Sequence, residues 1–405
     1  RLIGAGCRSA PTCQKNGLAE KTRNNHAERT MDESELETLR DSARRFYEAE
    51  LLPHEERWAQ QQCVDRDVWY KAAEAGLLCV GIPEEYGGGG GNFLHEAVIF
   101  AEQGRMLCPG LGNSLHSGIV AHYIHNFASE QQKQEWLPKM AKGELVGGLA
   151  ITEPGAGSDV QSIRTAARKE GGDYVINGAK TYITNGSTAN LICVVVKTDP
   201  NLGAKGISII VVETDKVEGF RRGRTLSKVG LHSQDTAELF FDDVRVPQAN
   251  LLGNVEGQGF KQLMKELSRE RVITAFMSMA CMERAIEETL KFAADRKVFG
   301  QTLLSMQNTR FKLAECETKL TLAKAMLSHC SASLLEGQLS SEIAAMAKWW
   351  ITDACGQVVD ECVQLHGGAG FMLEYPIARL YQNVRIHRIL AGTNEIMKEV
   401  IAREL

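Results

Sequence analysis

Hydrophobic residues recur at two different spacings along the chain, which indicates two kinds of secondary structure. Between residues 32 and 142 they return every three or four positions, as at Leu36, Leu39 and Ala43. This spacing places them on one face of a helix, so the segment is predicted to be helical. Residues 87–91 are all glycine and predict a loop within it, because glycine is the least constrained residue.

From about Gly147 the pattern changes to short runs of β-branched and aromatic residues separated by Gly, Asn, Asp and Pro. These runs predict strands at residues 190–197, 206–213 and 238–246. Helical spacing returns beyond Gly259 and predicts helices at residues 260–296, 309–335, 341–365 and 393–403. This order predicts an α+β protein, mainly α, with an N-terminal helical domain at residues 31–147, a β domain at 148–256 and a C-terminal helical domain at 257–405.

The first 30 residues differ from the rest of the chain. They are rich in Arg, Lys and Asn, show little apolar periodicity and do not begin with Met. We interpret residues 1–30 as a leader, a translated upstream sequence or a disordered extension. Their basic composition is also compatible with a mitochondrial transit peptide.

Composition narrows the class of protein. Of the 405 residues, 43% are hydrophobic and 24% are charged, as in an ordinary globular protein. The formal net charge of −5 argues against a general nucleic-acid binder, and no apolar stretch is long enough to span a membrane. The 11 cysteines are scattered, without a Cys-x-x-Cys pair, which favours reduced thiols over disulfides or a zinc site. His122 and His125 have ligand-like spacing without a further partner, so no metal site is predicted.

Two short strings carry the first chemical signal. The string ITEPGAGSD at positions 151–159 predicts a turn whose small residues let backbone N–H groups approach a ligand closely. The string YITNG follows at positions 182–186. Thr152 and Thr184 end apolar runs, where a hydroxyl can face the polar edge of a flat cofactor. A single Gly/Ser loop is more often an ordinary turn, but together the strings resemble the flavin-binding signature of the acyl-CoA dehydrogenase family.

The resemblance extends from about Met31 to Leu405. The strings DRKVFGQ at 295–301, QLHGGAG at 364–370 and GTNEI at 392–396 resemble later motifs of the family and follow its order. Several stretches, among them SLHS at 114–117 and QDTAELFF at 234–241, are most similar to the long-chain members. The resemblance implies a helical domain, a small β-barrel and a C-terminal four-helix bundle. It also implies an oxidoreductase that converts fatty acyl-CoA to trans-2-enoyl-CoA.

The resemblance further implies non-covalent FAD as the cofactor. Tyr182 matches a position where many relatives carry Trp against the flavin ring, and Arg296 begins a segment that reaches the FAD of another subunit. Arginine suits a pyrophosphate through its fork of donors. The residues that match FAD-binding positions are Leu149, Ile151, Thr152, Ser158, Tyr182, Thr184, Arg296, Phe299, Met306, Gln307, Gln364, Gly367, Gly368, Thr393 and Glu395.

The base that removes the Cα proton must be a close and sheltered carboxylate, because that proton is weakly acidic. Many relatives place a Glu directly before the Gly-Thr signature, but this chain has Ala391 there. Long-chain and isovaleryl-CoA dehydrogenases take the carboxylate from an early helix of the C-terminal domain, and Glu270 occupies the matching position. The resemblance therefore implies Glu270 as base, with hydride transfer from Cβ to flavin N5. Glu266, one helical turn away and assigned to the helix surface or a structural contact, is the local alternative.

Substrate contacts are implied for Ser158, Ser268, Arg271 and Gly392. The resemblance also implies electron-transfer flavoprotein as redox partner and a homo-oligomer, in this family usually a tetramer. It implies a location in the cytoplasm if the source is bacterial and in the mitochondrial matrix if it is eukaryotic.

The length of acyl chain that the enzyme accepts is expected to depend on the depth of its acyl pocket. Residues 111–120 are expected to set its depth. The glycines around SLHS, at positions 110, 112 and 118, are expected to leave an open tunnel that favours medium or long straight chains. An isovaleryl-CoA-type enzyme for short branched chains, and a flavin-binding member without dehydrogenase activity, are the alternatives.

Overall fold

The computed structural model describes residues 33–405, so the prediction for residues 1–30 lies outside the described residues. The N-terminal part is helical, as its spacing predicts, and the five glycines form the loop before the fourth helix. Gly88 is required there, because a Cβ would collide with the carbonyl of Ile82. The helices are α1 (Glu33–Phe46), α2 (Glu55–Gln61), α3 (Asp67–Glu74), α4 (Phe93–Met106), α5 (Ala121–Phe127) and α6 (Glu130–Ala141).

The segment that leads into α5 is an irregular helix. A short α-helical turn, Asn113–Leu115, continues into a π-helical turn, His116–Val120, and then directly into α5. A π-turn contains one residue more than regular α-helical geometry accommodates, and such turns are frequent at functional sites. Residues 113–127 therefore form one continuous, irregular helix.

The middle of the chain forms a seven-stranded sheet. Its hydrogen-bonded path runs β1–β4–β2–β3–β7–β6, with β5 paired to β4, so the strands form a half-barrel. Strands β4 and β5 are buried along nearly their whole length, which explains why they are continuous β-branched runs instead of alternating ones. The strands are β1 (Gly147–Ala150), β2 (Ala166–Glu170), β3 (Asp173–Thr184), β4 (Leu191–Lys197), β5 (Ile207–Glu213), β6 (Phe220–Thr225) and β7 (Thr236–Pro247).

The C-terminal part is again helical. Its four predicted helices are confirmed to within two residues at each end, and α10 is an additional helix that the spacing did not predict. A two-stranded hairpin (Lys297–Val298 and Gln301–Thr302) follows the first of them. The helices are α7 (Gly259–Asp295), α8 (Gln307–Leu335), α9 (Ser341–His366), α10 (Pro376–Val384) and α11 (Asn394–Ala402).

The long helix α7 links the three parts. It packs on α4 from the N-terminal part and on α8 and α9 from its own part, and its N-terminal end contacts β5. Its buried residues follow three- and four-residue spacing, as at Leu263, Glu266, Glu270 and Ile273. Residues on this face therefore reach the junction of all three parts. Within residues 33–405, none of the helices has the length and apolarity needed to cross a membrane.

Candidate active site

A cavity lies at this junction. Its walls come from the end of α4, the irregular helix 113–127, the loop at residues 231–234, the α7 face and the C-terminal segment around residues 383–391. Most of the lining side chains are apolar, and Thr184 at the end of β3 contributes a hydroxyl. Ionisable side chains on this wall are few, so each of them is a candidate for chemistry.

Glu270 is the carboxylate in this cavity. It lies on α7 with 6% of its surface exposed, and its Oε1 accepts a hydrogen bond of 3.0 Å from the Tyr123 hydroxyl. Burial raises the pKa of Glu270 to about 7, while the Tyr123 bond and the charge of Arg271 act in the opposite direction and Glu266 adds to the rise. A buried carboxylate with a pKa near neutrality suits a general base.

Glu266 has a different environment from Glu270. Although it lies one turn earlier on α7, it does not line the cavity. Its Oε1 accepts a hydrogen bond of 2.9 Å from the Asn126 amide, and its side chain is 5% exposed. Of the two assignments expected for Glu266, the structural contact is therefore observed, and the surface position is wrong because α5 covers this part of α7.

Ala391 lines the same cavity, so the turn that holds a carboxylate in many relatives is close to Glu270. Ala391 has φ +55° and Gly392 has φ +87°, so two successive residues are left-handed. Lys348, which is fully buried on α9, fixes this turn by donating 2.8 Å to the Gly392 carbonyl and 2.9 Å to the Asn394 amide oxygen. Thr393 then caps α11 through the Ile396 N–H at 3.4 Å.

The first flavin-matching segment is a tight loop directly after β1. Glu153 and Ala156 exchange two backbone hydrogen bonds of 2.9 and 3.1 Å, and the Thr152 carbonyl accepts one of 2.9 Å from the Thr181 N–H. The last of these contacts sets the loop beside the end of β3, close to the cavity. Leu149, Ile151 and Thr152 are half-buried, whereas Ser158 is exposed.

A buried ion pair holds this loop. Lys180 donates 2.8 Å to Oε1 of Glu153 and 2.9 Å to the Ile151 carbonyl. The two oxygens of Glu153 also accept the backbone N–H groups of Arg164 and Thr165, at 2.6 and 2.9 Å. Burial lowers the pKa of Lys180 to about 8. Glu153 is part of the first flavin-like string and Lys180 stands two residues before the second, which is the signal that could have identified them.

Tyr182 is displayed at the surface by a break in the sheet. The β3–β7 register shifts between Lys180 and Ile183, which is a β-bulge, and Tyr182 has φ +59°. Bulges re-aim side chains beside functional sites, and a positive φ is unusual for a bulky residue. As a result 69% of the Tyr182 side chain is exposed, next to the half-buried Thr184.

Of the remaining flavin-matching residues, Thr393 and the exposed Glu395 follow the Ala391 turn, and the others, from Arg296 to Gln307 and from Gln364 to Gly368, do not line the cavity. Arg296 follows the last residue of α7, which is 25 residues beyond Glu270, or about 38 Å along the helix axis. Phe299, at the turn of the hairpin, is 97% exposed. Also exposed are Gln307, Gln364, Gly367 and Gly368, whereas Met306 is half-buried. The chain therefore does not bring this group to the residues near Glu270.

The implied substrate contacts are only partly assembled. Arg271 is buried, and it donates 2.9 Å to the Ser341 hydroxyl at the start of α9. Ser268 is half-buried, Ser158 is exposed, and Gly392 belongs to the turn held by Lys348. Arg271 and Ser268 do not form part of the cavity wall.

The expectation for the glycines around SLHS is wrong. Residues 111, 114, 115 and 119 do line the cavity, but the neighbouring glycines do not open it. A Cβ on Gly110 would meet Val64 at 2.7 Å, and one on Gly118 would meet Phe100 at 2.6 Å. They allow close packing of neighbouring elements. The glycine on the cavity wall is Gly104 of α4.

A buried polar network behind Glu270 was not predicted. Glu96 on α4 contacts His122 on α5 and Arg269 on α7, and each of these two residues is adjacent in sequence to a member of the Tyr123–Glu270 pair. His122 thus has a structural contact. Across residues 33–405 there is no group of three or more His, Cys, Asp or Glu side chains arranged to hold a metal ion.

Comparison with known proteins gives a consistent family. Three family models match: "Acyl-CoA dehydrogenase, N-terminal domain" at residues 33–144, "Acyl-CoA dehydrogenase, middle domain" at 148–244 and "Acyl-CoA dehydrogenase, C-terminal domain" at 257–405. The mitochondrial long-chain specific acyl-CoA dehydrogenase of Sus scrofa is 42% identical over 418 residues, covering 100% of this chain and 97% of the relative.

Two solved structures extend the comparison. An acyl-CoA dehydrogenase from Geobacillus kaustophilus has a TM-score of 0.90 and 43% identity, covering 93% of this chain and 99% of that one. A glutaryl-CoA dehydrogenase from Mycobacterium smegmatis, solved in complex with FADH2, has a TM-score of 0.86 and 27% identity, covering 93% and 95%.

Proposed function

This chain belongs to the acyl-CoA dehydrogenase family, and from that premise we propose that it oxidises fatty acyl-CoA to trans-2-enoyl-CoA, with Glu270 as the base. The observation that carries the proposal is a buried carboxylate on a mainly apolar cavity wall, in a chain whose alternative base position is Ala391. The cavity supplies the shelter from water that a weakly acidic Cα proton requires.

Glu270 works as a base only in its ionised form. With a pKa raised to about 7 by burial, its carboxylate is largely protonated below pH 6 and largely ionised above pH 8. We therefore expect the rate of proton removal by the free enzyme to rise with pH through about 7. Arg271, next to it on α7, favours the ionised form, so the base stays usable despite its burial.

The residues around the cavity suit a flavin. Tyr182 offers an uncovered aromatic face, Thr152 and Thr184 offer half-buried side-chain hydroxyls, and the loop after β1 is held in place by Lys180. FAD bound there would supply the acceptor for the hydride that leaves Cβ. We assign the reoxidation of the reduced cofactor to electron-transfer flavoprotein.

The distant group around Arg296 supports a homo-oligomer. Arg296, Phe299, Gln364, Gly367 and Gly368 are exposed, and Arg296, directly after α7, lies about 38 Å along that helix from Glu270, too far to contact a flavin ring there. We propose that they hold the adenosine and pyrophosphate end of FAD bound mainly by another subunit. A tetramer provides such pairs of subunits.

The dimensions of the cavity favour medium or long acyl chains. On α7 its wall includes Glu270, Thr274, Met277 and Cys281, a face that covers about 16 Å of helix axis. An extended chain advances about 1.2 Å per bond, so about 13 bonds fit beside this face. For the CoA end of the substrate we propose Ser158, Ser268, Arg271 and Gly392 as contacts. A mitochondrial matrix location if the source is eukaryotic, and a cytoplasmic one if it is bacterial, is part of the same proposal.

The test is anaerobic bleaching of the bound flavin by acyl-CoA in a single turnover. Glu270→Gln keeps the size of the side chain but cannot accept the proton, so bleaching should slow by orders of magnitude while FAD remains bound. Glu266→Gln is the matched control, because Glu266 is also buried on α7 but bonds to Asn126 outside the cavity wall. Near-normal bleaching by Glu270→Gln would contradict the assignment.

A series of substrates separates the remaining alternatives. Straight chains from C4 to C16 should outperform isovaleryl-CoA if the cavity is used along its length. A preference for isovaleryl-CoA would support the branched-chain alternative, and a yellow protein that no acyl-CoA bleaches would support a flavin-binding member without dehydrogenase activity.

A further inference from the structure

The network behind Glu270 joins three helices. The Glu96 carboxylate of α4 contacts the His122 ring of α5 at 3.0 and 3.1 Å, forms an ion pair with Arg269 of α7 and accepts 3.1 Å from the Gly81 N–H. Arg269 also lies 2.9 Å from the His122 ring and donates 3.3 Å to the Gly118 carbonyl. Although burial alone raises the pKa of Glu96, His122 and Arg269 hold it below its usual value. The network is therefore charged and mutually bonded.

The sequence positions of these residues give the network a second role. His122 and Tyr123 are consecutive on α5, and Arg269 and Glu270 are consecutive on α7. His122 and Arg269 are joined through Glu96, and Tyr123 and Glu270 are joined directly by the Tyr123 hydroxyl. Two adjacent cross-links fix both the rotation and the sliding of α5 relative to α7, so the hydroxyl of Tyr123 is held at the carboxylate of Glu270.

The direction of the Tyr123–Glu270 hydrogen bond is fixed by chemistry. Tyr123 is buried beside a carboxylate, and burial together with Glu270 raises the pKa of its phenol well above the usual value. The phenol thus remains the donor and Oε1 the acceptor. Among the described residues 33–405, the Tyr123 hydroxyl donates to Oε1 of Glu270, and no side chain or backbone N–H donates to its other oxygen, Oε2.

We propose that Tyr123 is a positioning residue for proton transfer: its hydroxyl occupies Oε1 of Glu270 and leaves Oε2 to receive the Cα proton, and the Glu96–His122–Arg269 network keeps Tyr123 in place. In this step the Cα–H bond breaks, an O–H bond forms at Oε2 and the electron pair stays on the substrate. The inference rests on the proposed role of Glu270.

If Tyr123 only filled space beside Glu270, removing its hydroxyl would leave the pKa of Glu270 unchanged. Its hydroxyl stabilises the ionised carboxylate, so it lowers the pKa of Glu270 against the effect of burial. The other ionisable groups around Glu270 are Glu266 and Arg271 on α7, the Glu96–His122–Arg269 network, and His387 and Lys348 from the C-terminal part. None of these is altered by removing the hydroxyl alone.

Tyr123→Phe in the full-length, FAD-loaded enzyme is the test. Single-turnover bleaching is followed from pH 5.5 to 9. Without its donor the base is harder to ionise, so the acid limb of the profile should move to higher pH by about one unit, with the rate at pH 6 about tenfold lower than wild type. Tyr86→Phe is the matched control, because it removes a tyrosine-to-glutamate bond of 3.0 Å to Glu130 elsewhere in the N-terminal part, and its limb should not move.

Glu96→Gln tests the network, because electrostatics and the loss of positioning are expected to shift the acid limb of the pH profile in opposite directions. Removing a negative charge near Glu270, and leaving Arg269 unpaired, would by electrostatics alone move the acid limb to lower pH. Loss of the anchor for Tyr123 moves it to higher pH. An upward shift supports the proposal, and a downward shift overturns the role of the network. It also serves as the second variant if Tyr123→Phe binds FAD poorly.

The two proposals fail differently. If Glu270 is not the base, Glu270→Gln bleaches normally and the proposed function fails first. If Glu270→Gln is inactive but the acid limb of Tyr123→Phe coincides with wild type, the proposed function stands and the inference on Tyr123 is overturned.

Discussion

Gly104 is expected to set the upper limit of acyl chain length. It lies near the end of α4, and a Cβ there would stand 3.4 Å from the Met277 carbonyl and 3.6 Å from Cys281 Sγ. Alanine fits this space at ordinary contact distance. A leucine has three further carbon atoms and must extend into the cavity between Met277 and Cys281, so Gly104→Leu should close its deep end.

The magnitude follows from positions along α7. Met277 is seven residues beyond Glu270 and Cys281 is eleven, which correspond to about 10 and 16 Å of cavity wall. Closing the last 6 Å removes space for about five bonds of an extended chain. At about 0.8 kcal/mol per buried methylene, this loss is about 4 kcal/mol, or about three orders of magnitude in kcat/KM for the longest substrates.

The assay is dye-coupled or anaerobic flavin reduction with straight acyl-CoAs from C6 to C16. Gly104→Leu should retain activity with C6 and C8 and lose it progressively from about C12, while Gly104→Ala should keep the wild-type profile. Equal losses at all lengths would indicate general damage to the fold. An unchanged preference for long chains would refute the reasoning, because the acyl chain would then not lie along this face of α7.

Three further results are expected. Lys180→Met leaves Glu153 buried without its ion-pair partner, so it should lower the free energy of unfolding by about 3–5 kcal/mol and weaken FAD retention. Denaturant unfolding and flavin content measure these two effects, and unaltered FAD affinity would contradict the role of Lys180. Arg296→Ala should weaken FAD retention or assembly more than Lys297→Ala, also at an exposed position, as measured by flavin content and sedimentation. Burial lowers the pKa of His116 and His387 to about 4, so between about pH 6.5 and 4 the unfolded chain binds more protons than the folded one. The melting temperature should therefore fall as pH drops through this range. A melting temperature that does not change with pH would be inconsistent with neutral buried imidazoles.

The sequence was sufficient wherever one local pattern determines the structure. The helices of the C-terminal part were predicted closely, because their apolar spacing is regular and Gly or Ser stands near their ends. Strands β4 and β5 were predicted because a buried strand is a continuous β-branched run. Strand β6 was missed because its sequence, FRRGRT, is that of a polar edge strand, and β3 was missed because a bulge interrupts its pattern.

The candidate site was predictable only in part, for a related reason. Glu270 could be found because a family resemblance marks its position. Its contact with Tyr123 spans 147 residues and depends on how two helices cross, which no local pattern records. Lys348 is similar, since a lysine on an otherwise apolar helix face gives no sign that its ammonium group ends on the Gly392 carbonyl.

The π-helical turn at His116–Val120 has a consequence for how this protein can change over evolutionary time. Ser114 and Leu115 line the cavity just before the turn, Ile119 lines it within the turn, and Tyr123 follows in the same helix. Because the turn already contains one residue more than an α-helix, deleting one of its residues would restore regular α-helical geometry with the downstream residues in place, whereas inserting a further residue would rotate them by about 100° and advance them by about 1.5 Å. Point mutations can therefore retune the cavity one side chain at a time, and loss of one codon in the turn can leave Tyr123 at Glu270, whereas gain of a codon would separate them in one step. Among descendants of this gene, the turn should therefore lose a residue more readily than it gains one.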